Sequence, residues 1–424
     1  MRKFHISFLV LISFMTYSLK TEDTKTYQRE RSKKLLITPY KVTPIWTEEE
    51  LDILKTLWIG NLPPLKPDPS NRYADNEKAA ELGHLLFFET KLSKNGKVSC
   101  ASCHRPESFF TDTLSQSQGT GTTLRHSPSL IGVAYNDWFY WDGRRDNHWS
   151  QALNALEAEG EHEGNRLQIV KTISDNDTYR KLYQTIFGDL PTGLSVFTNA
   201  ASPRGKDIEK QAWSNIPKDK AIAINRAFAN IGKALAAYQR KLLPSASRFD
   251  FYVANIIGEQ KNTPPQYKPL NETEIRGLKL FINPNSSCLN CHNGPLMTNQ
   301  GFHNIGLPDK ENSFPDLGRV FGIQAAFLDE FSCKSMYSDC SEKDCAELHY
   351  LNLGHLNERA FKVPSLRNVS RTAPYMHDGR FKTLKEVLNH YNTVSIERLK
   401  SRELLPLKAS PQDIEAIIAF LKTL

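Results

Sequence analysis

Apolar residues recur at helical spacing along much of this chain, and strand-like alternation is sparse. In "INRAFANIGKALAAYQRKLL", Ile224, Ala227, Phe228, Ile231, Leu235, Tyr238 and Leu242 share one face and predict a long buried helix. In "TLKEVLNHYN", Thr383 and Glu386 form a T-x-x-E capping box, and Leu384, Val387, Leu388 and Tyr391 make the apolar stripe. A tyrosine on that stripe needs a partner for its hydroxyl. "TEEELDILKTLW" predicts a short early helix, and a proline-rich connection, "GNLPPLKPDPSNRYADN", follows it. Two further segments match one another: "ELGHLLFFETKLSKNGKVSC" and "EIRGLKLFINPNSSC" each carry a Leu-Phe helix, a polar turn and then a cysteine. Their likeness predicts a duplicated unit. The fold class is therefore mainly α, with long loops.

Composition adds little to this picture. Hydrophobic residues make up 39% of the 424 residues and charged residues 24%, as in an ordinary globular protein with room for two cores. The formal charge of +7 is spread without a dense basic run, so nucleic-acid binding is not expected. At the N-terminus a short basic start precedes an apolar run from Ile6 to Met15. The run is too short to span a bilayer and predicts a secretory signal over residues 1–20. No span is expected in the mature chain. A polar stretch after the long helix, "NIIGEQKNTPPQYKPLNETE", reads as a linker. It divides an N-terminal domain, 76–258, from a C-terminal domain, 259–424, with residues 21–75 as extension and linker.

Four of the seven cysteines sit in two copies of C-x-x-C-H: Cys100, Cys103 and His104, then Cys288, Cys291 and His292. This is the attachment sequence of c-type haem. Two thiols form thioethers to the vinyl groups, and the adjacent histidine reaches the iron. Zinc would want four closed ligands per site, and each motif offers three. Two covalent haem c groups are expected, one per half. No histidine or methionine lies between His104 and His126, so that loop offers no strong sixth ligand to the first iron. Three cysteines remain in "CKSMYSDCSEKDC". Export favours a disulfide, and Cys333 with Cys345 closes the insertion as a loop, leaving Cys340.

The blocks "LFFETKLS", "CASCH", "FYWDGR", "CLNCH" and "FKVPSLRNVSRTAPYMHDG" together resemble the bacterial dihaem cytochrome c peroxidases and their relative MauG. The resemblance runs from about Ala74 to the end. It implies two class I cytochrome c-like domains in a periplasmic enzyme. The N-terminal haem would react with hydrogen peroxide, and the C-terminal haem would pass electrons from a small cytochrome c or cupredoxin. A MauG-like alternative oxidises residues on a partner protein; a further one only carries electrons.

The resemblance also assigns residues. Trp141 matches the tryptophan between the haems, an electron relay. Gln151 matches a glutamine lining the distal pocket. Glu161 matches the distal glutamate, which moves a proton between peroxide oxygens; Glu157, Glu159 and Glu163 are its neighbours in the same acidic run. His162 reads as a loop histidine. The family histidine that caps the first haem corresponds to a position close to Gln118, so that lock is missing. A calcium ion is implied, with backbone donors at Thr372 and Pro374, but the side-chain position is His126, a poor ligand for a hard cation. Tyr391 stands where ordinary peroxidases place the methionine that ligates the second haem, and MauG also has tyrosine there. Rivals are His390, about 100° away around the helix, and Met376.

Overall fold

A computed structural model describes residues 45–259, 267–309, 314–395 and 404–424. The expected signal segment, the extension up to residue 44 and part of the linker (260–266) lie outside the described residues. Helices dominate, as the apolar periodicity predicts, and the one named sheet among the described residues is a two-residue antiparallel pair, Phe302–His303 with Phe361–Lys362.

The two Leu-Phe segments form equivalent helices, Glu77–Phe87 and Glu272–Ile282, capped by the side chains of Asn76 and Asn271. Each cap contributes about 1 kcal/mol. The first crosses the long helix Lys218–Gln239, which buries Phe228, Ile231 and Leu235 as its stripe requires. The second crosses the helix Pro411–Leu421. Both crossings are made at glycine. A Cβ on Gly83 would lie 1.9 Å from the Ala234 carbonyl oxygen, and one on Gly277 would lie 1.9 Å from that of Ala416. Aromatic pairs close both crossings, Phe87 with Tyr238 at 5.2 Å and Phe281 with Phe420 at 5.2 Å. Each attachment motif follows as a single helical turn, Cys100–Cys103 and Cys288–Cys291.

The halves trade segments. The helix Arg248–Ile256 packs on the C-terminal half through Phe249 against Phe420 and the buried Asp250–Arg367 ion pair. Arg367 also donates to the Leu57 carbonyl (2.8 Å), tying the early helix Glu48–Leu57 to the same place. In return, the insertion after the helix Arg319–Phe327 packs on the N-terminal half. Phe331 and Tyr337 join the N-terminal core, and buried Arg166 bridges Glu157 (2.8 Å) and Glu330 (2.7 Å). Among the described residues, no helix is long and apolar enough to cross a membrane.

Candidate functional site

The first attachment motif opens onto a cavity of about 1200 Å³. Cys100, Cys103 and His104 line it together with Trp141, Gln151, Glu161 and His162. The His104 ring donates from Nδ1 to the Phe110 carbonyl at 3.0 Å. That bond fixes the tautomer with Nε2 unprotonated, where the Ser127 hydroxyl lies 3.4 Å away. The second motif repeats the device, with His292 Nδ1 donating to the Met297 carbonyl at 3.0 Å. Both accepting residues have left-handed backbones, Phe110 at φ 56° and Met297 at φ 52°. Side-chain-bearing residues rarely adopt that region, so the strain is held where it aims a carbonyl at an imidazole. Burial lowers His104 and pushes His292 down to about 4, so both rings are neutral, as iron ligation requires. Two thiols, a neutral imidazole and a cavity of this size fit a covalent haem at the first motif. The second presents the same donor set.

The acidic run resolves into separate fates. Glu157 is spent on Arg166, and Glu163 pairs with Lys94 at 2.5 Å. Glu159 is exposed at the cavity rim. Glu161 lies against the cavity with its carboxylate 4.0 Å from the Arg144 guanidinium. Its backbone is pinned by Thr120, whose N–H donates to the Glu161 carbonyl at 2.8 Å. Gly119 is required there, because a Cβ would meet the Glu161 oxygen at 2.3 Å. Burial raises the Glu161 carboxyl, and Arg144 and Arg145 oppose the rise. Gln118 is exposed and turned into a small hairpin with Thr122.

His162 lies on a turn, as a loop histidine does, but it is not solvent-facing. It is buried, its Nδ1 donates to the Ala155 carbonyl at 3.2 Å, and its Nε2 lies 4.0 Å from Cys100 Sγ. Arg144 and Tyr140 were also missed. The guanidinium stacks 3.4 Å from the Tyr140 ring centroid, and the Tyr140 hydroxyl donates to the Gln151 carbonyl at 3.2 Å. Trp141 is held from both halves. Its Nε1 donates to the His126 carbonyl at 2.8 Å, and its own carbonyl accepts from the Lys362 N–H at 2.7 Å.

A second internal repeat organises these residues. Trp141-Asp142-Gly143-Arg144 corresponds to His377-Asp378-Gly379-Arg380. In both, the Asp pairs with the Arg, at 3.2 Å and 2.6 Å, and the Gly has positive φ, 66° and 61°. The residue before each tetrad is left-handed as well: Tyr140 at φ 69° and Met376 at φ 74°. Isolated bridges flank them in register, Phe139 with Arg145 and Tyr375 with Phe381. Asn147 and Thr383 then cap ten-residue helices, His148–Glu157 and Leu384–Thr393. Position 155 in the first unit therefore matches position 391 in the second: an alanine lining the cavity against a tyrosine. The signal was present in the sequence as D-G-R twice.

Tyr391 lies near the second motif. Burial raises its hydroxyl pKa, and Cys291 and Cys288 lie close enough to push it further. His390 donates from Nε2 to the Ile305 carbonyl (2.8 Å), and Met376 lines the cavity of the first motif. At the expected calcium position, Thr372, Pro374 and His126 all line the cavity. The His126 ring donates to the Leu114 carbonyl (2.9 Å), and its own carbonyl is taken by Trp141. Adjacent Arg125 is a fixed cation held by Asp142 (2.6 Å) and Asp316 (2.8 Å). These residues do not fit a hard divalent ion.

Two haem-attachment motifs in a duplicated helical fold define a dihaem c-type cytochrome. A family model described as di-haem cytochrome c peroxidase matches residues 77–257. The chain is 28% identical over 386 residues to the methylamine utilization protein MauG of Methylophilus methylotrophus, covering 88% of this chain and 92% of the relative. It is 26% identical over 351 residues to the cytochrome c551 peroxidase of Pseudomonas aeruginosa, covering 82% and 79%. The crystal structure of a MauG-like protein associated with microbial copper homeostasis is 25% identical with a TM-score of 0.57, covering 86% and 94%. The diheme peroxidase BthA from Burkholderia thailandensis shares the fold, with a TM-score of 0.60 at 22% identity over 84% and 88%. The chain is thus similar to dihaem cytochrome c peroxidases and to MauG along most of its length.

Proposed function

We propose that this chain is a dihaem c-type peroxidase that reduces hydrogen peroxide at the N-terminal haem, with electrons arriving through the C-terminal haem. The observation that carries the reading is the pairing of Ala155 with Tyr391 in the repeat. A methyl group cannot ligate iron, so the first site has room for a small oxidant where the second has a donor. When bound, the haems supply the redox iron for two-electron reduction of peroxide and for electron storage.

The protein's residues do the rest. Cys100, Cys103 and His104 would hold the first haem, and Cys288, Cys291 and His292 would hold the second, with Tyr391 close enough to serve as a further donor. Glu161 takes the proton from the inner peroxide oxygen and returns it to the outer one. Arg144 opposes the rise that burial imposes on that carboxyl, and Gln151 lines the pocket beside it. Trp141, bonded to both halves, is the relay between the haems. Lys362 lines the same cavity; burial lowers it to about 7. A haem propionate there would restore its charge. Calcium has no part, because His126 and Arg125 do not suit it.

The domains are taken as 76–258 and 259–424, and the apolar run Ile6–Met15 directs the chain to the periplasm. The electron donor is a small cytochrome c or cupredoxin. Tyr391 favours a second reading, MauG-like oxidation of residues on a partner protein, since a phenolate favours oxidised iron over ferrous iron. Steady-state assay with peroxide and a reduced small cytochrome or cupredoxin separates the two. Rapid donor oxidation supports peroxide reduction, and negligible turnover in a peroxide-reactive protein supports the second. A ferric spectrum that peroxide leaves unchanged contradicts both and leaves an electron-transfer cytochrome.

A further inference from the structure

The insertion that packs on the N-terminal half carries chemistry which the haem sites do not use. Cys333 and Cys345 form the disulfide expected from the sequence, with Cα atoms 5.7 Å apart. The third cysteine is not a bystander. Cys340 Sγ lies 3.1 Å from Cys333 Sγ, and all three sulfurs lie within 4.8 Å of one another. Leu348, Trp138 and Leu351 pack around them. A free thiol seated on one sulfur of a disulfide is the reactant pair of thiol–disulfide exchange.

We propose that Cys333, Cys340 and Cys345 form one thiol–disulfide exchange site, with Cys333 as the permanent partner and the bond alternating between Cys345 and Cys340. The Cys340 thiolate attacks Cys333 Sγ. A Cys340–Cys333 bond forms, the Cys333–Cys345 bond breaks, and the electron pair leaves on Cys345. Cys345 then takes up the proton that Cys340 gave up. No oxidant or reductant is consumed. Attack on Cys333 rather than Cys345 follows from the 3.1 Å contact.

The surroundings suit a fixed central sulfur. The Cys333 N–H donates to Asp146 at 2.8 Å, and Asn147 donates to the Phe331 carbonyl at 3.0 Å. Both acceptor and donor residues sit at the start of the helix His148–Glu157, which lines the first cavity. Cys333 therefore stays docked in either form. The difference falls on the segment Glu342–His349, tied through Cys345 in one form and released in the other. Burial raises the Cys340 thiol, Ser338 lowers it, and Asp344, Asp68 and Asp146 raise it again. Scarce thiolate slows the exchange without choosing its product.

The test uses the holoprotein, in which the haem cysteines are thioethers and do not label. The oxidised protein is held at mildly alkaline pH, quenched with acid, labelled with N-ethylmaleimide and digested without reduction for mass spectrometry. The expected result is label on both Cys340 and Cys345, summing to one thiol per chain, with both linked peptides present. Label on Cys340 alone, at all incubation times, overturns the proposal. Cys345→Ser gives a second readout. Formation of a Cys333–Cys340 link with no free thiol supports the proposal. Two free thiols in a variant with an unaltered haem spectrum overturn it. If that variant does not fold, the wild-type labelling decides alone.

Discussion

Ala155 and Tyr391 stand at the same step of two matching segments, each fourteen residues beyond the first residue of its tetrad, Trp141 or His377. One unit ends in a methyl group at the cavity and the other in a half-buried phenol beside the second motif. Under the proposed function, this difference would give the two motifs unlike duties. Replacing Ala155 by methionine supplies the missing ligand. The first haem is expected to become low-spin, with peroxide turnover down about 100-fold or more. EPR and a stopped-flow peroxide assay check this. Unchanged spin state and rate would separate Ala155 from the open position.

Tyr391→Met is expected to raise the potential of the second haem by on the order of 100 mV, because a thioether favours ferrous iron and a phenolate does not. Spectroelectrochemical titration reads the shift. A potential equal to wild type would remove Tyr391 from the ligand set.

Glu161→Gln keeps the shape of the pocket and removes the base. Peroxide reduction should fall about 10²- to 10⁴-fold. The pH profile carries the sign. Burial raises the Glu161 carboxyl and Arg144 opposes that rise. Activity needs the ionised form, so it is lost as pH falls through this raised pKa. Arg144→Gln removes the opposing charge, raises the carboxyl further and moves the acid limb of kcat/KM to higher pH. An acid limb that stays in place would uncouple Arg144 from Glu161.

Gly83→Ala and Gly277→Ala each push a methyl group into a backbone carbonyl at 1.9 Å. Each should cost about 1–3 kcal/mol, as overpacking does. Denaturant unfolding of the holoprotein measures it. A loss below about 0.5 kcal/mol at either site would mean the crossing can open.

Chelation tests the cation argument. With His126 committed to Leu114 and Trp141, and Arg125 already supplying positive charge, EGTA treatment should leave turnover within about twofold. A large loss restored by calcium would show a site built from carbonyl oxygens after all.

Much of this was legible in the chain. Both attachment motifs, the two lead-in helices, the capped helix bearing Tyr391 and the Cys333–Cys345 pair follow from local spacing, and the structure forms them where expected. The traded segments were not legible. Arg166 meeting Glu330 and Asp250 meeting Arg367 are contacts across long stretches of sequence that no local period records. The burial of His162 was not legible because an acidic run suggests solvent, whereas the turn after Glu157 folds back and buries the ring beside Cys100. The Asp-Gly-Arg repeat was visible but weak, since its first residues differ. Only the shared backbone, with positive φ at Tyr140 and Met376, makes it plain.

The most direct test of the central claim is the EPR spectrum of the ferric holoprotein before and after one equivalent of hydrogen peroxide. An open first haem and a ligated second predict one high-spin and one low-spin signal, with the high-spin signal lost on peroxide addition. Two low-spin signals that peroxide leaves unchanged would contradict the account.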